Sequence, residues 1–91
     1  MTAETRAPIT LLWFAWLRQR VGVGEEKLVL PAEIATVADL LAWLPGRGPG
    51  HAAALAEPGV VKVAVNQVHV GADHPLRPGD EVALFPPVTG G

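Results

Sequence analysis

The chain has no cysteine, no tyrosine and no serine at any of its 91 positions. Disulfides, thiolate metal sites and cysteine or serine nucleophiles are thereby excluded. Charge is also scarce. Seven Lys and Arg against nine Asp and Glu give a formal net charge of −2, which attracts neither nucleic acid nor an anionic membrane. No apolar run approaches the length of a membrane span, and Pro8, Arg18 and Arg20 flank the longest one. Glu4, and the lack of a clear small-residue cleavage site after the following apolar segment, argue against a secretory signal. A cytoplasmic location is the expectation.

What remains is a composition 49% hydrophobic and 18% charged, which suits a folded chain rather than a disordered one. The length fits one domain near the lower limit of what a single core can hold together. Ile9-Thr10-Leu11-Leu12-Trp13-Phe14 predicts a first strand, largely buried on both faces. The period then changes: Leu17 and Val21 lie four apart in a short helix closed by Gly22 and Gly24. Glu25 to Leu30 returns to strand character and halts at Pro31, so the two strands read as a hairpin-like pair with a helical detour.

Thr36-Val37-Ala38-Asp39 has the form of a capping box, with Asp39 in place of the usual Glu or Gln. Val37, Leu40, Leu41 and Leu44 follow as one apolar stripe, with Trp43 at its margin, and Pro45-Gly46 ends this main helix. Residues 45–50 read as a flexible surface loop, because the stretch lacks the Gly-Lys-Ser/Thr ending of a phosphate cradle. A short helix over 51–57, a strand over 60–65, an Asn66-Gln67 turn and a short strand over 68–70 follow. A loop over 71–76 and a turn at 77–80 lead into the last strand, 81–85. One strong helix among four or five strands favours α+β, with the helix packed on one face of a mixed sheet.

His51, His69 and His74 share no HxH or HxxxH spacing, and no carboxylate completes a set, so they read as three independent surface or loop residues and no metal site is expected. Asp73-His74 has no Ser or Cys to activate, and Asp80-Glu81 reads as a solvated turn. Phe14 and Phe85 sit near strand ends, where core and exposed roles are both open. After Phe85 two prolines remove ladder donors and stop the sheet. Gly90-Gly91 then leaves a terminal carboxylate without neighbouring side chains, able to pass through a slot too narrow for a Cβ.

The run Gly79-Asp80-Glu81-Val82-Ala83-Leu84-Phe85-Pro86-Pro87-Val88-Thr89-Gly90-Gly91 resembles the end of the ubiquitin-like sulfur carriers of the MoaD/ThiS family, in particular the small subunit of molybdopterin synthase. Ala64-Val65-Asn66-Gln67 and His74-Pro75-Leu76 resemble it at fitting spacings, as does Phe14-Ala15, whereas Trp16 departs from the polar residue expected there. The resemblance implies an α+β ubiquitin-like β-grasp with a mixed four- to five-stranded sheet and one main helix on one face. It implies a flexible N-terminus over 1–8, a β-grasp domain over 9–87 and a flexible tail over 88–91.

It further implies that Gly91 supplies the reacting carboxylate and Gly90 allows access, while Pro86, Pro87, Val88 and Thr89 set the reach and direction of the tail. Phe14 and Phe85 are implied at partner interfaces. The chain itself would bind no cofactor and contribute no acid, base or nucleophile; it would be the sulfur-donating subunit of a sulfurtransferase. ATP would be used by a MoeB-type adenylating partner, and a sulfur donor protein would leave a thiocarboxylate on Gly91. The large subunit of molybdopterin synthase, in a heterotetramer, would pass that sulfur to cyclic pyranopterin monophosphate. The alternatives are the same chemistry in thiazole, cysteine or another thiolated-metabolite pathway, and a protein modifier joined through Gly91. A plain interaction domain with an incidental tail is the third.

Overall fold

The computed structural model describes residues 7–87. Strands β1 (Ile9–Trp13), β2 (Glu25–Leu28), β3 (Lys62–Val65), β4 (Val68–Val70) and β5 (Glu81–Phe85) form one mixed sheet in the order β2-β1-β5-β3-β4. The pair β1·β5 is parallel and the other three pairs are antiparallel. The last strand is therefore the central one. Helices α1 (Ala15–Val21), α2 (Val37–Trp43) and α3 (Pro49–Ala54) complete the α+β architecture.

Strand periodicity sorts side chains between two faces. In β1, Ile9, Leu11 and Trp13 are buried while Thr10 and Leu12 are only half-buried; in β5, Val82 and Leu84 are buried between half-buried Glu81, Ala83 and Phe85. The buried set meets Leu17 of α1, Val37 and Leu40 of α2, and Leu44, Ala54 and Leu55 in one core. Strand β1 is thus buried fully on one face only. The first apolar run was expected to be buried on both, but Leu12 lies on the face without helices, and Phe14 lies beyond the strand.

The capping box forms as expected. Asp39 N–H donates to Thr36 Oγ1 at 3.2 Å, and Asp39 Oδ2 accepts from Thr36 N–H at 3.1 Å and from Ala35 N–H at 3.0 Å. These backbone donors, Ala35 first, hold the Asp39 carboxyl below its ordinary pKa. Gly22 closes α1 in the left-handed region, at φ 98. Asn66 and Gln67, at φ 51 and 71, make a two-residue turn with the primed twist that suits the β3–β4 hairpin. Strand β2 stops at Leu28, two residues short of expectation, and β3 starts at Lys62 because a 3₁₀ turn occupies Pro58–Val60.

The stretch expected to be a flexible loop is helical. A 3₁₀ turn, Leu44–Arg47, extends α2 through Pro45, and α3 begins at Pro49. Proline is tolerated in a first helical turn, where its missing N–H has no acceptor to lose. Gly50 is there for contact: a Cβ at that position would lie 2.4 Å from the Arg20 carbonyl oxygen. Absence of a side chain lets α3 press against the end of α1.

Candidate functional site

The end of β5 and its surroundings form the candidate site. Central placement fixes this strand on both sides: Leu12 faces Ala83 across β1, and Lys62 faces Phe85 across β3. At its start, Pro78-Gly79, with Gly79 at φ 89, turns the chain into the sheet. Asp80 Oδ2 accepts from Arg77 N–H at 2.9 Å. Asn66 bridges to the same place, donating from Nδ2 to Asp80 Oδ1 at 3.0 Å and accepting at Oδ1 from Glu81 N–H at 3.0 Å. The strand that leads to the last residues is anchored at both ends.

Phe14 N–H donates to the Leu84 carbonyl at 3.1 Å, which sets Phe14 beside the end of β5. Phe14 is 47% exposed. The next residue, Ala15, has φ 56, an unfavourable backbone for a residue with a Cβ, where β1 gives way to α1. Phe85 is half-buried and packs edge-to-face with His69, ring centroids 5.3 Å apart. Neither phenylalanine belongs to the core. Together with Leu12, Ala83 and Ala64 they give the helix-free face an apolar strip that runs to the end of β5. Pro86 and Pro87 are half-buried and follow directly. Val88, Thr89, Gly90 and Gly91, the expected tail, lie outside the described residues.

The three histidines differ from one another. His74 serves the loop, its carbonyl accepting from Val37 N–H at 3.0 Å. His69 lies on the helix-free face. His51, expected to be an independent surface residue, is instead part of a packed trio. Glu26 Oε2 accepts from Trp13 Nε1 at 2.8 Å and lies 2.8 Å from His51 Nε2, while the His51 and Trp13 rings meet edge-on at 5.6 Å. The trio joins β1, β2 and α3 on the core side. Sequence spacing could not reveal it, because the partners lie 13 and 25 residues apart. Lys62 lies across from Phe85, and its alternation with buried Val61 and Val63 sets it on the helix-free face. Among the described residues no group of three or more His, Asp or Glu could hold a metal ion, and no helix is long and apolar enough to cross a membrane.

A mixed sheet with its final strand inserted between the first and third, backed by helices on one face, defines the ubiquitin-like β-grasp class. Solved structures agree. SAMP1, a small archaeal modifier protein from Haloferax volcanii, superposes with a TM-score of 0.71 at 29% identity, over 93% of this chain and 100% of that one. A putative molybdopterin converting factor subunit 1 from Pyrococcus furiosus gives a TM-score of 0.66 at 31% identity, over 90% and 99%. The chain belongs to the ThiS family, whose model matches residues 11–91 and so runs through Gly90-Gly91. Among curated relatives, the molybdopterin synthase sulfur carrier subunit of Escherichia coli K12 is 45% identical over 83 residues, 91% of this chain and 99% of that protein.

Proposed function

We propose that this chain is the sulfur-carrier subunit of a molybdopterin synthase, with the Gly91 carboxylate as the group that is loaded and unloaded. The observation that carries the reading is the 45% identity to such a subunit over nearly the whole of both chains. A carboxylate resists nucleophiles because of its negative charge. A MoeB-type partner removes that charge by joining the carboxylate to AMP from ATP, with release of pyrophosphate. Sulfide-level sulfur delivered by a donor protein then attacks the acyl carbon, AMP leaves with its oxygen, and a thiocarboxylate remains, in which one carboxylate oxygen has been replaced. The large synthase subunit, in a heterotetramer, accepts the same tail and passes its sulfur to cyclic pyranopterin monophosphate. The acid, base and nucleophile belong to the partners, and the location is cytoplasmic.

In this reading Gly90 and Gly91 leave the reacting end free of side chains, while Pro86, Pro87, Val88 and Thr89 set its reach. Ordering a four-residue segment in a partner's slot costs about 4–8 kcal/mol of backbone entropy. Docking elsewhere must offset that cost, and the strip of Phe14, Leu12, Ala83 and Phe85 is the apolar surface at the end of β5. Intact-mass measurement after incubation with ATP, the adenylating enzyme and a sulfur source should show one oxygen exchanged for sulfur at Gly91. Deletion of Gly91 should abolish the exchange and leave thermal unfolding nearly unchanged. No exchange with any competent partner set removes the reading.

A second reading, a protein modifier joined through Gly91 to a lysine, is favoured by the likeness to SAMP1. It predicts adducts that survive reducing gel conditions, which a thiocarboxylate carrier does not form.

A further inference from the structure

The helix-free face is apolar in the middle but not at the corner where β5 ends. Lys62 lies directly across from Phe85 in the β3·β5 register, and His69 lies across from Ala64 on β4, with its ring against Phe85. Cross-strand partners share a face, so Lys62 and His69 flank the half-buried Phe85 and are themselves exposed. Lys62 forms no ion pair among the described residues. The acidic residues of the same face stand away from this corner: Glu81 is paired with Thr10 at the opposite end of β5, and Glu25 is paired with Leu12 on the far edge strand. A chain of net charge −2 thus presents a basic corner beside the half-buried Phe85.

Resting on the reading of this face as the docking surface for the large synthase subunit, we propose that Lys62 and His69 form a recognition element for a carboxylate of that subunit. Phe85 gives the contact its apolar floor. The charge pattern argues for this occupant. A partner that covers Phe85 must also cover the lysine, and an acidic side chain compensates the loss of water there. A basic counterpart would be repelled. Such an element fixes the rotational setting of the domain where the chain departs toward the reacting end, and it steers encounter more than it adds to the apolar contact. It also distinguishes the proper large subunit from one that offers only an apolar patch.

The test measures association of the full chain with its large subunit by calorimetry and stopped flow, at two ionic strengths. Lys62→Glu and His69→Glu should each weaken binding by about 30-fold or more at low salt, with the loss shrinking several-fold at high salt. Lys62→Ala should flatten the salt dependence of the wild type. Arg47→Glu on the helical side changes the net charge equally and should stay within about threefold. An acid-to-lysine substitution on the large subunit that restores Lys62→Glu binding identifies the carboxylate. Lys62→Glu binding within threefold of wild type, or no weaker than Arg47→Glu, overturns the proposal. Phe85→Ala separates the two levels. If it abolishes binding while Lys62→Glu does not, the face stands and the recognition element falls; if Phe85→Ala and Phe14→Ala both bind normally, the docking face itself is wrong. Thermal unfolding of each variant verifies that the fold is retained.

Discussion

Replacing Glu26 by alanine should destabilise the fold without touching sulfur transfer. Glu26 Oε2 is the acceptor for the Trp13 indole N–H at 2.8 Å, and Trp13 is 2% exposed. With the carboxylate gone, the indole N–H loses the acceptor that it has in the folded protein. A buried donor left without an acceptor costs about 1–3 kcal/mol. His51, whose side chain is 14% exposed, loses the same oxygen and with it the contact that ties α3 to β2. Relief of the half-buried carboxylate's own desolvation subtracts from that sum. The net loss is about 2 kcal/mol, which in a domain of this size lowers the midpoint by roughly 8–16 °C. Glu26→Gln keeps a carbonyl oxygen for the indole and should lose less than about 1 kcal/mol.

Thermal and urea unfolding followed by circular dichroism give the two stabilities. The Trp13 indole proton resonance reports the bond directly: it should shift in Glu26→Ala and stay near its wild-type position in Glu26→Gln. At a temperature where both variants remain folded, loading of Gly91 should proceed at the wild-type rate, because the trio lies on the core side of the sheet. A Glu26→Ala protein within about 0.5 kcal/mol of wild type would refute the assignment of Glu26 as the indole's acceptor. Slow loading in a fully folded variant would refute the separation of the two faces.

Gly50→Ala should lose about 1–3 kcal/mol on urea unfolding, although alanine favours helix, because its Cβ would meet the Arg20 carbonyl at 2.4 Å; unchanged stability would mean that α1 and α3 are not in close contact. Ala15→Gly should be neutral or stabilising by up to about 1 kcal/mol, since φ 56 suits glycine, whereas Ala42→Gly in α2 should lose about 1 kcal/mol. Asp39 has a lowered pKa in the folded state, so its contribution is fully present above the unfolded carboxylate value and is lost as pH falls through the folded one. The acid limb of urea midpoints should therefore be shallower in Asp39→Asn, and an unchanged limb would remove Asp39 from the capping role.

Features written in a few adjacent residues were legible. Thr36 with Asp39, Gly22 after Val21, Asn66-Gln67 between two valine runs, and Pro86 after Phe85 each act through local backbone chemistry, and each did what its residue type dictates. The same locality explains the misses. Gly48-Pro49-Gly50 has the composition of a loop, yet Pro49 fits a helix start and Gly50 answers to the end of α1, some thirty residues away in sequence. Leu12 and Trp13 are both large and apolar, and only the position of the helices decides which is covered. His51 has no local signal, since Glu26 and Trp13 come to it through the pairing of β1 with β2 and the docking of α3. The parallel pairing of β1 with β5 joins opposite ends of the chain; the resemblance pointed to it, and periodicity alone did not.

That pairing explains how one sheet keeps stability and recognition apart. In each of β1, β3 and β5, successive residues alternate between the core and the helix-free face: Leu11 and Trp13 against Leu12, Val63 against Lys62 and Ala64, Leu84 against Ala83 and Phe85. A slip of one residue in β5 would exchange the two sets, burying Phe85 and turning Leu84 outward. Such a slip is blocked where the strand begins. Thr10 N–H donates to the Asp80 carbonyl at 2.9 Å, Asn66 N–H donates to the Glu81 carbonyl at 2.8 Å, and the Asn66 amide holds Asp80 and Glu81 from the other side. None of these groups lies near Phe85, yet they decide which face it occupies. Asp80 and Asn66 therefore belong to the functional apparatus through register rather than contact. The turn that reads in sequence as a solvated acid pair sets which face Phe85 occupies at the end of the sheet.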